Sequence, residues 1–512
     1  MSTARTRCVA LMGLEGRLIE VEASVAGGLP RTVLVGLPDA SLYEARDRCR
    51  AAASSQELAW PQGLVTINLS PASLPKAGSH YDAAIMAAVL AAAGVVPEQA
   101  LERVVLLGEL SLDGRLRAVR GLLPAVLGAV QAGYRRVVVP RDQVREARLA
   151  PGADVTGVGC LREMVAFLRG QEVPQGGLEI VSEAPEPMVG APDLADVIGQ
   201  SEACWAAEVA AAGGHHLFLG GPPGVGKSML ASRIPTILPE LSVDEALEVA
   251  AVRSLAGVGD GEWSVRPPWS NPHHSASMAS LLGGGSRVPR PGAISLAHRG
   301  VLFLDEASEF QQKVLDSLRE PLETGEIFLT RSVHQATYPA RFQLVLASNP
   351  CPCGYHGVAG GRCACPPQKV RRYQDRLSGP IMDRIDIQQQ MLPVGRALIN
   401  PAHAGGGRER SADVAQRVCA ARERQLRRLA GTGWRTNGEV PGAFLRTEWP
   451  TPGGMGLLDG PLRRGTLSAR GVDKTVRVAW TVADLSGHDK PTEQDMWVAL
   501  GLRQGLPQRE AV

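Results

Sequence analysis

The sequence predicts an α/β protein in three parts: an amino-terminal α/β domain, a central α/β core and a carboxy-terminal helical lid. Three observations carry this. An apolar run at 217–220 leads into Gly221-Pro-Pro-Gly-Val-Gly-Lys-Ser228 and then an apolar-periodic stretch at 229–238, the order strand, tight loop, helix. A second apolar run, 301–304, ends in the paired carboxylates Asp305 and Glu306. Short apolar runs also alternate with helical patterns over the first 170 residues. A chain of 512 residues suits about three domains. The expected division is 1–170, a Pro/Gly/Glu-rich linker at 171–192, a core at 193–395 and a carboxy-terminal part at 396–512.

Composition sets the outer limits. Hydrophobic residues make up 44% and charged residues 21%, ordinary for a globular chain. A net charge of +2 excludes a polycation, so any nucleic-acid contact has to come from local clusters. The longest apolar run, 83–96, is too short to span a bilayer. The amino terminus lacks a secretory hydrophobic stretch, so a cytoplasmic chain with no membrane partner is expected. Nine cysteines in such a chain do not suggest a disulfide framework. Cys8, Cys49, Cys160, Cys204 and Cys419 stand alone and are expected to be buried small hydrophobes.

In the first part, 17–25, 32–35, 64–69, 104–110 and 136–139 read as strands, and 41–54, 82–93 and 124–132 as helices. Pro75-Lys-Ala-Gly-Ser-His-Tyr-Asp82 and Gly108-Glu-Leu-Ser-Leu-Asp-Gly114 resemble motifs of the Lon-protease domain, an S5-type α/β fold. The resemblance puts His80 where Lon carries its serine and Leu123 where it carries its lysine. A Ser–Lys dyad needs an amine to activate a weak nucleophile. The expectation is a Lon-like domain without peptidase activity.

The octet matches G-x-x-x-x-G-K-[ST]. Its glycines let backbone N–H groups converge on phosphate oxygens at a helix start. Gly221, Pro222, Pro223, Gly224, Val225, Gly226, Lys227, Ser228 and Met229 are the expected ATP contacts. Lys227 reaches the terminal phosphates and Ser228 holds Mg²⁺. Asp305 is the second Mg²⁺ residue, and Glu306 polarises the attacking water. With the Asn-ended strand 344–349 and Arg384 farther on, this order resembles that of AAA+ ATPases. By that resemblance Asn349 orients the water, Arg384 is a finger completing a neighbour's site in a ring, and Val197 and Ile198 lie beside the base. The plainer readings are a strand-end cap for Asn349, an Arg384–Asp386 surface pair, and a surface helix start at 193–200.

Arg266-Pro-Pro-Trp-Ser-Asn-Pro-His273-His274, Pro289-Arg-Pro-Gly-Ala-Ile-Ser-Leu-Ala-His-Arg-Gly300 and Asn349-Pro-Cys-Pro-Cys-Gly narrow the resemblance to the magnesium-chelatase-like group. Within it, the chain is similar to the ComM (YifB) family over nearly its whole length. The resemblance implies a homo-hexamer on single-stranded or branched DNA that drives branch migration as a helicase, supporting homologous recombination in natural transformation. It also implies pore-facing segments within 258–299 and a hairpin at 326–339. Arg287, Arg290, Arg331 and His334 are candidate phosphate-backbone contacts there, or solvated loop charges. His273 and His274, with no acidic neighbour in sequence, are expected to pack a loop.

Cys351, Cys353, Cys363 and Cys365 form two close pairs across a Gly-rich loop. They suit structural Zn²⁺, although C-x-C spacing also fits free thiols or a redox pair. In the last part, the arginine-rich helix 408–428 reads as a solvated face or a nucleic-acid contact. Residues 431–460 read as irregular loop. Residues 468–485 resemble the sensor-2 helix, placing Arg470 at a γ-phosphate and Arg477 two turns on, with Trp480 where the family often has arginine. Residues 491–500 read as a capped helix. Rival readings are a magnesium-chelatase-like or protein-remodelling motor, an ATP-dependent protease, and a scaffold that binds ATP without turnover.

Overall fold

The computed structural model describes residues 2–36, 40–74, 76, 78–173, 192–259, 263–285, 289–330, 335–358, 361, 363–393 and 409–506. Arg287, Arg331 and His334 lie outside the described residues, as do Pro75, Arg408 and most of the 171–192 segment. The first part is a seven-stranded mixed sheet in the order Arg31–Val35, Leu64–Ser70, Glu15–Ala26, Ser2–Met12, Val104–Leu106, Arg136–Pro140, Asp154–Val158. The long hairpin of Ser2–Met12 and Glu15–Ala26 is antiparallel, and its far edge continues in parallel through Val104–Leu106. The helix Asp82–Ala92 is apolar on every side and wholly buried, as expected for a helix with no solvent-facing stripe.

Several elements differ from the sequence reading. Ser2–Met12 is a full strand, although its apolar and polar residues do not alternate cleanly. The expected strand 104–110 is two strands, Val104–Leu106 and Glu109–Leu110. Asp154–Val158 and the helix Leu161–Leu168 are additional. Of the isolated cysteines, Cys8 and Cys49 are buried, Cys160 and Cys204 are half-buried, and Cys419 is exposed. Cys419 lies on the outer face of an amphipathic helix, which isolated spacing does not reveal.

The core is a five-stranded parallel sheet in the order Trp269–Ser270, Val301–Leu304, Gln343–Ser348, Leu217–Gly220, Ile387–Gln390. The first strand in sequence therefore lies between the fourth and the fifth. That reversal of strand order is the switch point where doubly wound sheets open a crevice at their carboxyl ends. The register pairs Gly220 with Ser348 and Leu304 with Leu346. Residues 221, 305 and 349 consequently leave the sheet along one edge. Glu326–Thr330 and Gln335–Pro339 form the expected antiparallel hairpin.

The helices Ser411–Arg428, Ala469–Ser486 and Glu493–Gln504 make the lid. The last begins at a capping box between Thr492 and Asp495. The arginine-rich helix is not simply a solvated face. Arg417 clamps the buried Glu208 at 2.7 and 2.8 Å, Arg422 donates to the Ala211 carbonyl, Arg424 to that of Asp484, and Arg428 donates two hydrogen bonds to the Asp484 carboxylate at 2.8 and 2.6 Å. Arg428 also lies against the rings of Trp449 and Trp480, 5.0 and 4.5 Å from their centroids. Trp480 is thus a core residue. Residues 431–460 are not irregular throughout: they hold the short helix Gly442–Thr447 and helical turns at Asn437–Glu439 and Met455–Leu458. Buried Asn437 ties this stretch to Thr481 and Asp484. Such short segments do not show helical periodicity.

The first part and the core meet at a defined joint. Leu11, Leu14, Leu255, Leu329, Ala336 and Tyr338 form one apolar cluster across it. Gly13 adopts φ +65°, and a Cβ there would lie 2.6 Å from the Thr337 carbonyl oxygen. Behind the cluster, the Gly121 N–H donates to the Ser254 carbonyl at 3.1 Å, and the Leu123 N–H to Ser254 Oγ at 3.3 Å. The helix Val243–Ala256 thereby abuts the position where Lon has its lysine.

Candidate active site

The octet at 221–228 is built by backbone geometry. Gly221, Gly224 and Gly226 have φ of +154°, +80° and +94°, values a side chain disfavours. The loop turns Lys227 inward, where it is buried, and its ammonium donates to the Gly221 carbonyl at 2.7 Å, the Pro222 carbonyl at 2.9 Å and Asn349 Oδ1 at 3.0 Å. Burial pulls its pKa below the ordinary lysine value, and the Asp305 and Glu306 carboxylates push it back up. Ser228 Oγ donates to Asp305 Oδ2 at 2.6 Å. Asp305 Oδ1 accepts the Glu306 N–H at 2.9 Å. Lys227, Ser228, Asp305, Glu306 and Asn349 therefore gather on one sheet edge.

The donor set fits a magnesium nucleotide. Ser228 and Asp305 are oxygen ligands already within hydrogen-bond reach of each other, as a hard dication requires. Lys227 offers three N–H donors now held by neutral oxygens, which an anionic phosphate would outcompete. Of the base-side candidates, Val197 is buried in the core cluster and Ile198 is half-buried. Gln200 donates to the Val225 carbonyl at 3.3 Å and to that of Leu392 at 2.7 Å, so this segment is fastened to the octet.

Glu306 has a left-handed backbone, φ +50°, unusual for a residue with a side chain. Its carboxylate lies 3.3 Å from His274 Nδ1. In sequence, His274 has no acidic neighbour. The strand Trp269–Ser270 lies parallel beside Val301–Leu304 and brings the two residues together. No sequence spacing encodes that pairing.

Arg384 and Arg470 are elsewhere. They line a cavity of about 310 Å³ with Glu323, Asp473, Lys474 and Arg477, and no residue of the octet is among its walls. Arg384 donates to Glu323 at 2.5 Å, and Arg470 lies 3.6 Å from Asp383. The Arg384–Asp386 pair does not form, because Asp386 is taken by Lys474 at 2.6 Å.

The four clustered cysteines converge. Sγ separations are 3.3 Å for Cys351–Cys353, 3.8 Å for Cys351–Cys363 and 3.6 Å for Cys353–Cys363. With Cys365, all four sulfurs lie within 4.8 Å of one another. Four thiolates about 2.3 Å from one Zn²⁺ would stand about 3.8 Å apart, so the cluster is compatible with zinc. A hydrogen bond from the Tyr355 backbone and the neighbouring thiols hold the Cys353 thiol down at about 6, while the Cys363 thiol is pushed up to about 11 and that of Cys365 is also raised, so one thiol of the cluster gives up its proton before the others.

In the first part, Ser79 Oγ is hydrogen-bonded to Glu109. His80 is buried, with Nε2 2.8 Å from the Val9 carbonyl. Lys76 points its ammonium at the carbonyls of Gly36, Pro71 and Leu74. Arg290, the one candidate pore arginine among the described residues, lines a cavity of about 340 Å³ with Ser79, His80, Glu109 and Tyr338.

Fold and site together define a P-loop ATPase core of the AAA+ class. Comparison with known proteins narrows this. Residues 193–398 match the family model described as magnesium chelatase, subunit ChlI, residues 408–503 its C-terminal model, and residues 21–143 a further model for the ChlI subunit of Mg-chelatase. An uncharacterized protein of Mycobacterium tuberculosis is 50% identical, covering 98% of this chain and 99% of its own. YifB of Escherichia coli is 42% identical, covering 98% and 97%, and the competence protein ComM of Haemophilus influenzae 40%, covering 98% of each. The chain belongs to the ComM/YifB family of magnesium-chelatase-like AAA+ proteins. ATP and Mg²⁺ are the cofactors that class implies. No helix among the described residues is long and apolar enough to cross a membrane.

Proposed function

We propose that this chain is a cytoplasmic, ring-forming motor that hydrolyses ATP to move on single-stranded or branched DNA, as a branch-migration helicase promoting homologous recombination in natural transformation. The observation that carries the motor is the meeting of Lys227, Ser228, Asp305, Glu306 and Asn349 on the carboxyl edge of the sheet. The DNA assignment is supported by full-length likeness to a relative named as a competence protein. The division at 1–170, 171–192, 193–395 and 396–512 belongs to the same reading.

In this reading the octet from Gly221 to Ser228, with Met229, binds the triphosphate. The bound magnesium nucleotide supplies the phosphoanhydride to be cleaved. Lys227 exchanges its carbonyl partners for phosphate oxygens, Ser228 and Asp305 hold Mg²⁺, Glu306 takes the proton of the attacking water, and Asn349 orients that water while steadying Lys227. Arg384 and Arg470 act on the neighbouring subunit's nucleotide. Their shared cavity, separate from their own octet, supports action in trans and hence a ring, which we take to be a homo-hexamer. The first domain is read as non-proteolytic: Ser79 is engaged with Glu109, Lys76 is occupied by carbonyls, and Leu123 has no amine.

A second reading is a magnesium-chelatase-like or protein-remodelling motor that does not act on DNA, favoured by the description of all three matching family models. One experiment separates them: ATP turnover with and without single-stranded and four-way-junction DNA, for the wild type and Glu306→Gln. DNA stimulation that disappears in the variant, with junction dissolution by the wild type, is the expected result. Turnover indifferent to every DNA would sink the DNA reading and leave the second.

A further inference from the structure

The four-cysteine loop stands directly against the nucleotide site. Cys351 follows Asn349 by two residues and is fully buried, so the first sulfur pair and the Lys227-bound amide share one short stretch of backbone. Gly354, the residue after Cys353, has φ +84°, and a Cβ there would lie 2.4 Å from Pro223 Cδ and 2.9 Å from its Cγ. The turn at 351–354 is therefore pressed onto the octet with no space between. On its far side, Gln374 Nε2 donates to the Pro350 carbonyl at 3.0 Å. Gln374 ends the helix Pro367–Gln374, which begins two residues after Cys365. Just beyond that helix, Arg376 donates to the Ser308 carbonyl at 3.0 Å and to Glu309 at 2.9 Å, in the turn that follows Glu306.

One small loop thus touches two parts of the site, the octet through Pro223 and the water-orienting position through Asn349, and the helix that follows it leads into Arg376 on the carboxylate turn. The loop has few means of holding itself. Among its described residues it contains no strand or helix from 351 to 366, and the sulfurs form no disulfide. The separations of its four sulfurs suit a tetrahedral ion with soft ligands.

We propose that the four thiolates bind one Zn²⁺ and that the metal-held loop is a strut that keeps Pro223 and Asn349 in place, so that zinc occupancy sets nucleotide affinity. This rests on the reading of the octet as a nucleotide site. Zinc takes no part in ATP cleavage in this account. Cys351, Cys353, Cys363 and Cys365 are ligands, and Gly354 is the positioning residue that transmits the strut's contact.

The test measures zinc by atomic emission and affinity by titration with a fluorescent ADP analogue, on the full chain. The wild type is expected to carry one zinc per chain. Stripping it with a chelator should weaken ADP binding at least tenfold, and adding back Zn²⁺ should restore it, which a misfolded chain would not allow. Cys363→Ser with Cys365→Ser should lose the metal and match the stripped protein. Gly354→Val should keep its zinc and still bind ADP several-fold more weakly. A wild type purified from zinc-replete cells without metal, or a stripped protein with unchanged ADP affinity, overturns the proposal. A zinc-loaded wild type that binds no ADP overturns the nucleotide reading itself, which is a different result.

Discussion

Lys227 and Asn349 are joined by a 3.0 Å hydrogen bond between the ammonium and Oδ1, across 122 residues of sequence. The bond links the start of the helix that follows the first core strand to the end of the fourth strand. It sets Lys227 beside the residue proposed to orient water. Such preorganisation lowers the ordering cost that binding would otherwise carry.

Replacing Lys227 should act on affinity first. Lys227→Ala removes the cation and leaves the Gly221 and Pro222 carbonyls without their donor. A charge-assisted hydrogen bond contributes about 1.5–3 kcal/mol, so ADP affinity should fall about 10- to 100-fold. Titration with a fluorescent analogue reads this directly.

The arginine cavity gives a mixing test. Arg384→Ala alone and Glu306→Gln alone should each abolish most turnover, since an arginine finger contributes about 10³-fold or more. Mixed one to one, a Glu306→Gln subunit can present its intact Arg384 to the intact site of an Arg384→Ala neighbour. About a quarter of the sites should then work, and activity should rise above that of either variant alone. Mixtures no more active than their components would mean that Arg384 does not act across subunits.

Acid should destabilise the fold early. Burial lowers His80 to about 4, His215 to about 3 and His216 to about 4. His216 Nδ1 accepts the Leu344 N–H at 3.1 Å, which a protonated ring cannot do. Their folded values lie below the unfolded value near 6.5, so the unfolded chain binds more protons as the pH drops. The stability they contribute is complete above about pH 6.5 and is lost progressively toward pH 4 for His80 and His216 and toward pH 3 for His215. Asp82, pushed up to about 6 mainly by burial, works the other way between pH 6 and 4 and offsets one of the three. Urea midpoints at stepped pH should show the decline, and His216→Asn, which keeps an acceptor for Leu344, should make it shallower.

The joint between the domains can be probed at Gly13. Gly13→Val combines a left-handed backbone with a Cβ 2.6 Å from the Thr337 oxygen. A loss of about 2–3 kcal/mol is expected. Gly133→Val is the control: φ is +88° there, but nothing lies within 4 Å of the added Cβ. It carries backbone strain alone, about 1 kcal/mol. The difference between their urea midpoints isolates the contact between domains.

Much of the core was legible because the chemistry is local. The octet, the Asp305–Glu306 pair and the Asn349 strand end are each written in a few adjacent residues, and one edge of a parallel sheet gathers them. What stayed hidden depended on distant pairing. His274 meets Glu306 only because a two-residue strand joins the sheet edge. Gly354 meets Pro223 through a loop closing on itself. The arginines at 417, 422, 424 and 428 look solvated in sequence because their acceptors, Glu208, Ala211 and Asp484, are on other helices. Trp480 looked like a lost arginine and is a wall for Arg428.

The joint also bears on how the protein can be cut. Leu255, Ala336 and Tyr338 are kept dry by Leu11 and Leu14, which belong to the other domain. A chain shortened to begin at residue 193 would wet that patch. It would also strip Ser254 of its partners Gly121 and Glu146. Such a fragment would be prone to stick to itself, and low activity in it would report a torn surface rather than a missing motor part.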